Sequence, residues 1–272
     1  MAEREVPTGK TIALHSYKGG TGKTTLIANL AAYYAMSGLK VCLLDFDLYA
    51  PSLSTYFRVT PKFYLNDLLK GDADLSEVIV DVSAKVGVSG KLFIGFSSPQ
   101  KEDINEIEIK HELKWQLAAV RRLLAAKNQL FEEDKIDYLL LDTSPGIRYW
   151  SINSLAVADN LFLVMKISDM DIEGTKRMIK DIYDSLVRFG SKYFLILNKV
   201  PAGSPAFENT AATDFNEEIS ELEKATGSRV VGSIPCFCDV NFNKHEFLTA
   251  IKQPEHLFAQ KLLALAKEID KI

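Results

Sequence analysis

Short apolar runs alternate with longer stretches of helical period along this chain. The runs Thr11–His15, Val41–Phe46, Leu92–Phe96, Tyr138–Leu141, Leu161–Lys166, Tyr193–Leu197 and Val230–Ile234 are mostly continuous rather than alternating. Continuous runs of this length suit strands covered on both faces, as in a parallel sheet. Between them, apolar residues at three- and four-residue spacing predict helices over Thr24–Met36, Glu112–Lys127, Ile172–Phe189 and Phe215–Thr226, and a last one from Pro254 to the C-terminus. Gly38, Gly190 and Gly227 serve as stop signals, and Pro254 suits a first helical turn. This alternation predicts an α/β fold, a doubly wound and mostly parallel sheet of about seven or eight strands flanked by helices. Asp81–Lys91 and Lys199–Gly203 with Ser204-Pro205 read as surface loops too short to mark a boundary. Residues 1–272 are therefore expected to form one domain.

Composition narrows the class. With 272 residues, 47% of them hydrophobic and 25% charged, a disordered or fibrous chain is excluded. The 32 basic and 36 acidic side chains leave a formal net charge of -4, which disfavours a protein that wraps nucleic acid through bulk charge. Three cysteines make no disulfide framework and suit a reducing compartment. The Met1–Pro7 stretch has charges but no apolar run behind them, so no signal peptide is expected. The longest apolar runs are too short to span a bilayer, and the expected location is cytoplasmic.

The most informative segment is Tyr17-Lys18-Gly19-Gly20-Thr21-Gly22-Lys23-Thr24-Thr25. It follows a predicted strand and opens a predicted helix, the context a phosphate-binding loop requires. Glycines let the backbone turn its amides inward around an anion, and the helix N-terminus adds free N–H groups. Lys23 can reach the β and γ phosphates and the Thr24 hydroxyl can ligate Mg²⁺, so ATP and Mg²⁺ are the expected ligands. One position departs from the general G-x-x-x-x-G-K-[ST] pattern: Tyr17 stands where glycine would, and a second lysine, Lys18, follows it. In this K-G-G-x-G-K-T-T run the chain resembles the ParA/MinD family of P-loop ATPases, and the run matches the family's deviant Walker A signature.

Two apolar runs end in acids: Val41–Leu44 before Asp45-Phe46-Asp47, and Tyr138–Leu141 before Asp142-Thr143-Ser144-Pro145-Gly146. This places carboxylates at the C-terminal edge of the sheet, where ligands bind in open α/β folds. The resemblance implies that Asp47 positions the attacking water, that Asp142 binds Mg²⁺ through water and orients Thr24, and that the Gly146 N–H senses the γ-phosphate. Asp45 is assigned to Mg²⁺ or to the polarity of the phosphate site, with a turn cap as its alternative. Asn198 closes another strand and carries a donor and an acceptor that can pair with adenine N6 and N7, although an Asx turn would also use it. In the resembling family an Asn at this place contacts the purine, and Gly232-Ser233-Ile234-Pro235 resembles a G-x-I-P stretch whose backbone, Pro235 included, lies near adenine. Pro201 stands where the guanine-specific N-K-x-D pattern needs Asp, which favours ATP.

The implied activity is a Mg-dependent ATPase. The equivalent of Lys18 crosses to the partner subunit's phosphates in the family, so a homodimer on ATP is expected. The switch would position or regulate a cellular cargo, as in chromosome or plasmid partitioning or division-site placement, through a protein activator or cargo adaptor. DNA could meet Arg121-Arg122 with Lys114 and Lys127, or Lys176-Arg177 with Lys180, but such charges read first as solvated helix faces. Membrane binding is disfavoured because the last helix's stripe of Leu257, Phe258, Leu262, Leu265 and Ile269 reads as sheet packing. Two alternatives stand beside this reading. Cys236-Phe237-Cys238 could serve metal or cluster handling, although Mrp-type carriers use C-x-x-C and neither His245 nor His256 adds a ligand spacing. A non-hydrolysing adaptor is the other, against which Lys18, Thr24 and Asp47 are all in place. Cys42, Trp115 and Trp150 read as packing residues, with a dimer face or partner site as the alternative for Trp150.

Overall fold

A computed structural model describes residues 9–109, 113–183, 186, 190–201, 211–243 and 248–272. The strands are β1 Lys10–His15, β2 Lys40–Phe46, β3 Ile79–Asp81, β4 Lys91–Gly95, β5 Tyr138–Thr143, β6 Asn160–Met165, β7 Lys192–Val200 and β8 Val230–Pro235. They form one eight-stranded sheet in the order β3-β4-β2-β5-β1-β6-β7-β8. Each of the seven apolar runs is a strand, and those strands pair in parallel. The eighth, β3, is antiparallel to β4 and closes one edge. Its last residue, Asp81, begins the segment expected to be a loop, which also contains a helical turn at Ser83–Val86. Lys91 Nζ binds Asp81 Oδ2 at 2.9 Å and ties the two ends of that segment together. A short edge strand flanked by charges is a common defence against edge-to-edge pairing.

The helices are α1 Lys23–Met36, α2 Leu53–Phe57, α3 Leu65–Lys70, α4 Leu75–Val78, α5 Ser83–Val86, α6 Lys101–Ile109, α7 Leu113–Glu132, α8 Tyr149–Leu155, α9 Asp169–Met178, α10 Ala211–Thr226, α11 Cys238–Asn241, α12 Thr249–Lys252 and α13 Leu257–Asp270. Residues Ile179–Tyr183 continue α9 as a wider π-helical turn. Glu112, Phe189, Gly203, Ser204, Pro205 and His245, all named above, lie outside the described residues. The last helix starts three residues after Pro254 because the His256 side chain caps it, accepting from the Phe258 N–H at 3.0 Å.

Two apolar cores sandwich the sheet. One gathers α1, α2, α12 and α13, the other α3, α7, α8 and α9. Helix α1 is buried nearly all round, which suits its Ala-rich, weakly amphipathic sequence. Its one interior amide, Asn29, is satisfied: Nδ2 donates to Thr25 O and Oδ1 accepts from Ala250 N. Tyr34 of α1 stacks on Tyr138 of β5 with centroids 4.3 Å apart. In α13, Phe258, Leu262, Leu265 and Ile269 pack inward, while Leu257 stays 60% exposed. Cys42 is buried in β2, and Trp150 is buried edge-on against Trp115 at 5.5 Å. Among the described residues no helix is long and apolar enough to cross a membrane.

Strand β1 sits between β5 and β6, while the chain reaches β2 first through α1. The direction of winding therefore reverses beside β1, and the crevice opens at the C-terminal ends of β1, β2 and β5.

Candidate functional site

The loop Ser16–Gly22 joins β1 to α1 at this crevice. Gly20 and Gly22 have φ of 75° and 89°, a left-handed backbone that side chains disfavour. Gly22 is also where the Asn198 amide comes closest, at 2.5 Å from the place a Cβ would occupy. Lys23 opens α1 and is buried, and its Nζ donates to Ser16 Oγ at 2.9 Å. Ser16 Oγ in turn donates to Lys18 O at 2.7 Å, which shapes the loop from within. Burial pulls the Lys23 ammonium below its usual range, and the charges of Asp142 and Asp47 oppose that pull.

The carboxylates converge on the same place. Asp45 and Asp142 are register partners across β2 and β5. Both are buried; both Asp142 oxygens and Asp45 Oδ2 lack a hydrogen-bond partner. Burial pushes the Asp142 carboxyl up to about 6, against the pull of Lys23 and of the nearby Thr24 hydroxyl. Burial raises Asp45 well above the carboxylate range, and Asp142 and Asp47 add to it. Asp45 Oδ1 accepts from the Asp47 N–H at 3.0 Å, and Asp47 Oδ1 accepts from Ala50 N at 3.2 Å. A buried carboxylate pair with unfilled lone pairs beside a threonine hydroxyl is a donor set that fits a hard divalent cation such as Mg²⁺.

The remaining expected residues occupy defined positions. Asn198 is buried and its Nδ2 donates to Thr21 O at 2.7 Å, so part of its amide already holds the loop. The Gly146 N–H donates to Ser16 O at 2.8 Å, an engagement that a phosphate at this amide would have to replace. Pro235 ends β8 beside Val200 of β7. Lys18 is partly exposed at the loop's outer side, next to the exposed Gly19 and Gly20. Cys236 is partly buried and Cys238 exposed; among the described residues, no group of three or more His, Cys, Asp and Glu could hold a metal ion. Three of the basic helix residues are engaged locally, while Lys114, Arg121, Arg177 and Lys180 are exposed. Lys127 bonds Val157 O and Asp159, Arg122 bonds Leu69 O, and Lys176 pairs with Glu173.

Tyr17 is tolerated in place of glycine because its side chain leaves the loop for α9. A Cβ built on Gly174 would lie 2.0 Å from the Tyr17 ring, so the ring fills the notch this glycine provides. Gly174→Ala should wedge the ring outward, cost on the order of 1–3 kcal/mol by overpacking, and weaken nucleotide binding. Thermal melting and titration with a fluorescent ATP analogue test this. Tyr17→Ala in the same chain should restore the melting temperature, and an unchanged melting temperature in the single variant would refute the wedge.

Several residues at the site carry no motif signal. His15, fully buried at the end of β1, has Nδ1 2.6 Å from Thr143 Oγ1. Because that hydroxyl donates to Leu14 O at 2.8 Å, Nδ1 carries the proton and Nε2 is left without a partner. Burial, then the Lys23 charge, push its pKa down to about 3, so the ring is neutral. The Tyr56 hydroxyl of α2 donates to Thr25 Oγ1 at 2.8 Å. Arg148 lies over the Tyr49 ring at 4.2 Å and joins the segment after β2 to the segment after β5. The only sequence signal among these is a polar His15 closing an apolar run just before the loop.

A glycine loop between strand and helix, with two acid-ended strands beside it on a parallel sheet, defines a P-loop NTPase α/β fold. A family model described as an AAA domain matches residues 9–189. The chain is 28% identical over 174 residues to the chromosome-partitioning ATPase Soj of Treponema pallidum (strain Nichols), covering 64% of this chain and 64% of that protein. It is 25% identical over 282 aligned positions to an iron-sulfur cluster carrier protein of Aquifex aeolicus (strain VF5), covering 100% of this chain and 70% of that protein. The septum site-determining protein MinD from Pyrococcus horikoshii OT3, complexed with Mg-ADP, superimposes with a TM-score of 0.72 at 24% identity, over 97% of this chain and 96% of that one. The chain belongs to the ParA/MinD family of P-loop ATPases.

Proposed function

We propose that this chain is an ATP-hydrolysing switch that dimerises on ATP and positions or regulates a cellular cargo. The observation that carries the reading is the pair of buried carboxylates, Asp45 and Asp142, with unpartnered oxygens next to the buried Lys23. Lys23 and the amides of Gly19 to Thr25 bind the phosphates; Asn198 and the Pro235 backbone contact the base. Thr24 and Asp142, the latter through water, would hold Mg²⁺, with Asp45 completing the polar surround; the ion supplies charge neutralisation at the phosphate oxygens. Asp47 orients the attacking water. Lys18, on the outer side of the loop, reaches the phosphates of a second copy and stabilises charge on the transferred group, as an arginine finger does.

Support for this kind of cargo comes from a relative named for chromosome partitioning and a structural neighbour named for septum-site determination. A protein partner is favoured over DNA because the net charge is -4 and Arg122, Lys127 and Lys176 are engaged within the chain. Size-exclusion chromatography with ATP against ADP, and turnover measured alone, with DNA and with liposomes, test the reading. ATP-dependent dimers and a stimulable turnover are expected. Full ATP-dependent dimerisation and turnover in Lys18→Ala would end the crossing role. The likeness to an iron-sulfur cluster carrier keeps one second reading, in which Cys236 and Cys238 of two copies supply four thiolates. Metal analysis of anaerobically purified protein decides it, and an absence of zinc and iron would remove it.

A further inference from the structure

Beside α2 lies a groove whose lining includes none of the residues assigned to the nucleotide above. Its volume is about 250 Å³. Tyr56, Phe57, Val86, Leu248 and Ile251 supply the walls, and Arg58, Lys85 and Lys252 surround the mouth. All three cations are exposed, and among the described residues none has a carboxylate partner. Among the described residues no acidic side chain lines the groove, in a chain whose net charge is -4. The mouth is also shaped by backbone: Arg58 ends α2 in the left-handed region at φ 50°, and the Lys85 ammonium bonds its carbonyl.

We infer that this groove docks an acidic segment of a protein partner through one apolar anchor side chain flanked by carboxylates. Two observations choose this occupant. The volume falls short of the roughly 300–1,000 Å³ typical of small-molecule sites, so it accepts a single side chain rather than a whole ligand. Three unpaired cations around an apolar floor complement carboxylates on either side of such an anchor. A nucleic acid would use the cations but leave the apolar floor idle, since Tyr56 and Phe57 are buried and offer no ring face for stacking.

The groove connects to the nucleotide site through one wall. The Tyr56 ring belongs to the groove, and its hydroxyl donates to Thr25 Oγ1 at the start of α1. Ala250, beside Ile251, bonds the Asn29 side chain of the same helix. An anchor seated against Tyr56 therefore bears on α1, and by reciprocity ATP and the acidic segment alter each other's affinity. This coupling rests on the ATP-binding reading; the docking does not.

The test is a fluorescence-anisotropy titration of a labelled heptapeptide, one phenylalanine with acidic residues on both sides, against the full chain without nucleotide. Saturable, salt-sensitive binding is expected. Reversing all three cations (Arg58→Glu, Lys85→Glu, Lys252→Glu) should weaken it at least ~10-fold, and Lys252→Glu alone about 3-fold, as exposed charge pairs of this kind allow. A peptide with alanine in place of the phenylalanine should also bind at least ~10-fold more weakly, as loss of a buried aromatic anchor implies. Equal binding by the triple variant with an unchanged circular dichroism spectrum, or by the alanine peptide, overturns the docking. Displacement of the peptide by an oligonucleotide or by anionic vesicles at equal charge overturns the choice of partner. Tyr56→Phe should keep peptide binding and lose the peptide's effect on the affinity of a fluorescent ATP analogue. No such effect in the parent chain overturns the coupling alone. Because the titration contains no nucleotide, its failure leaves the ATPase reading intact, and failure to bind ATP leaves the docking intact.

Discussion

Asp142→Asn should stabilise the ligand-free chain while abolishing ATP turnover. Asp142 is buried, and burial outweighs the pull of Lys23 and of the nearby Thr24 hydroxyl to push its pKa up to about 6 from 3.8. A folded-state pKa above the unfolded value means that the fold favours the neutral acid. The stability this gives is present below pH 3.8 and lost as pH rises through 6. Above that, holding the carboxylate ionised costs about 3 kcal/mol, two pKa units at roughly 1.4 kcal/mol each. Asn is neutral throughout, so the variant should gain on the order of 2 kcal/mol at pH 8, allowing for its own unpaired amide, or about 5 °C in melting temperature. Turnover should fall at least ~100-fold, the scale seen when a charge-stabilising group is removed from an active site. Thermal melts at pH 8 and pH 5 test the stability half, since the gain should shrink at pH 5. A lower melting temperature at pH 8 would mean that Lys23 and Thr24 stabilise the carboxylate by more than burial costs it.

Acid should destabilise the chain through His15. With a pKa pushed down to about 3, the folded state holds the ring neutral, whereas the unfolded chain takes up a proton near 6.5. Its contribution is complete above pH 6.5 and is lost as pH falls from 6.5 toward 3. At pH 5 the loss is about 2 kcal/mol, from one and a half units at roughly 1.4 kcal/mol. Asp45 and Asp142 act in the opposite sense over part of this window, so the parent's slope alone understates the effect. His15→Asn, which keeps a donor for Thr143 and cannot charge, isolates it. Denaturant melts at pH 7.5 and pH 5 should show the parent losing about 2 kcal/mol more than the variant over that interval. Parallel losses would mean that the ring can charge in place.

Much of the fold is legible from local pattern. Val41–Phe46 and Tyr138–Leu141 read as strands because each is a continuous apolar run buried on both faces that reaches a carboxylate at the C-terminal edge of the sheet. Ile79–Asp81 does not, since three residues paired to one neighbour carry no periodicity. The nine-residue phosphate loop is legible because its chemistry is contiguous, and Tyr17 looks anomalous only until Gly174 is placed opposite it. Contacts between distant residues are another matter. Nothing in either segment announces that the Gly146 N–H is held by Ser16 O, that Asn198 bonds Thr21 O, or that Tyr56 bonds Thr25. Lys127 and Arg122 likewise look free until the one meets Asp159 and the other Leu69 O.

The stacking of Arg148 on Tyr49 has a mechanical consequence. An exposed guanidinium over a phenol ring is worth only about 0.5–1 kcal/mol, less than one good charged hydrogen bond to a phosphate. On its own this stack is a fuse rather than a bolt: it holds the two side chains together lightly and yields when either is gripped more strongly. A clasp of that strength is at most about twice the thermal energy, so it opens and closes freely and biases the site's rim without locking it.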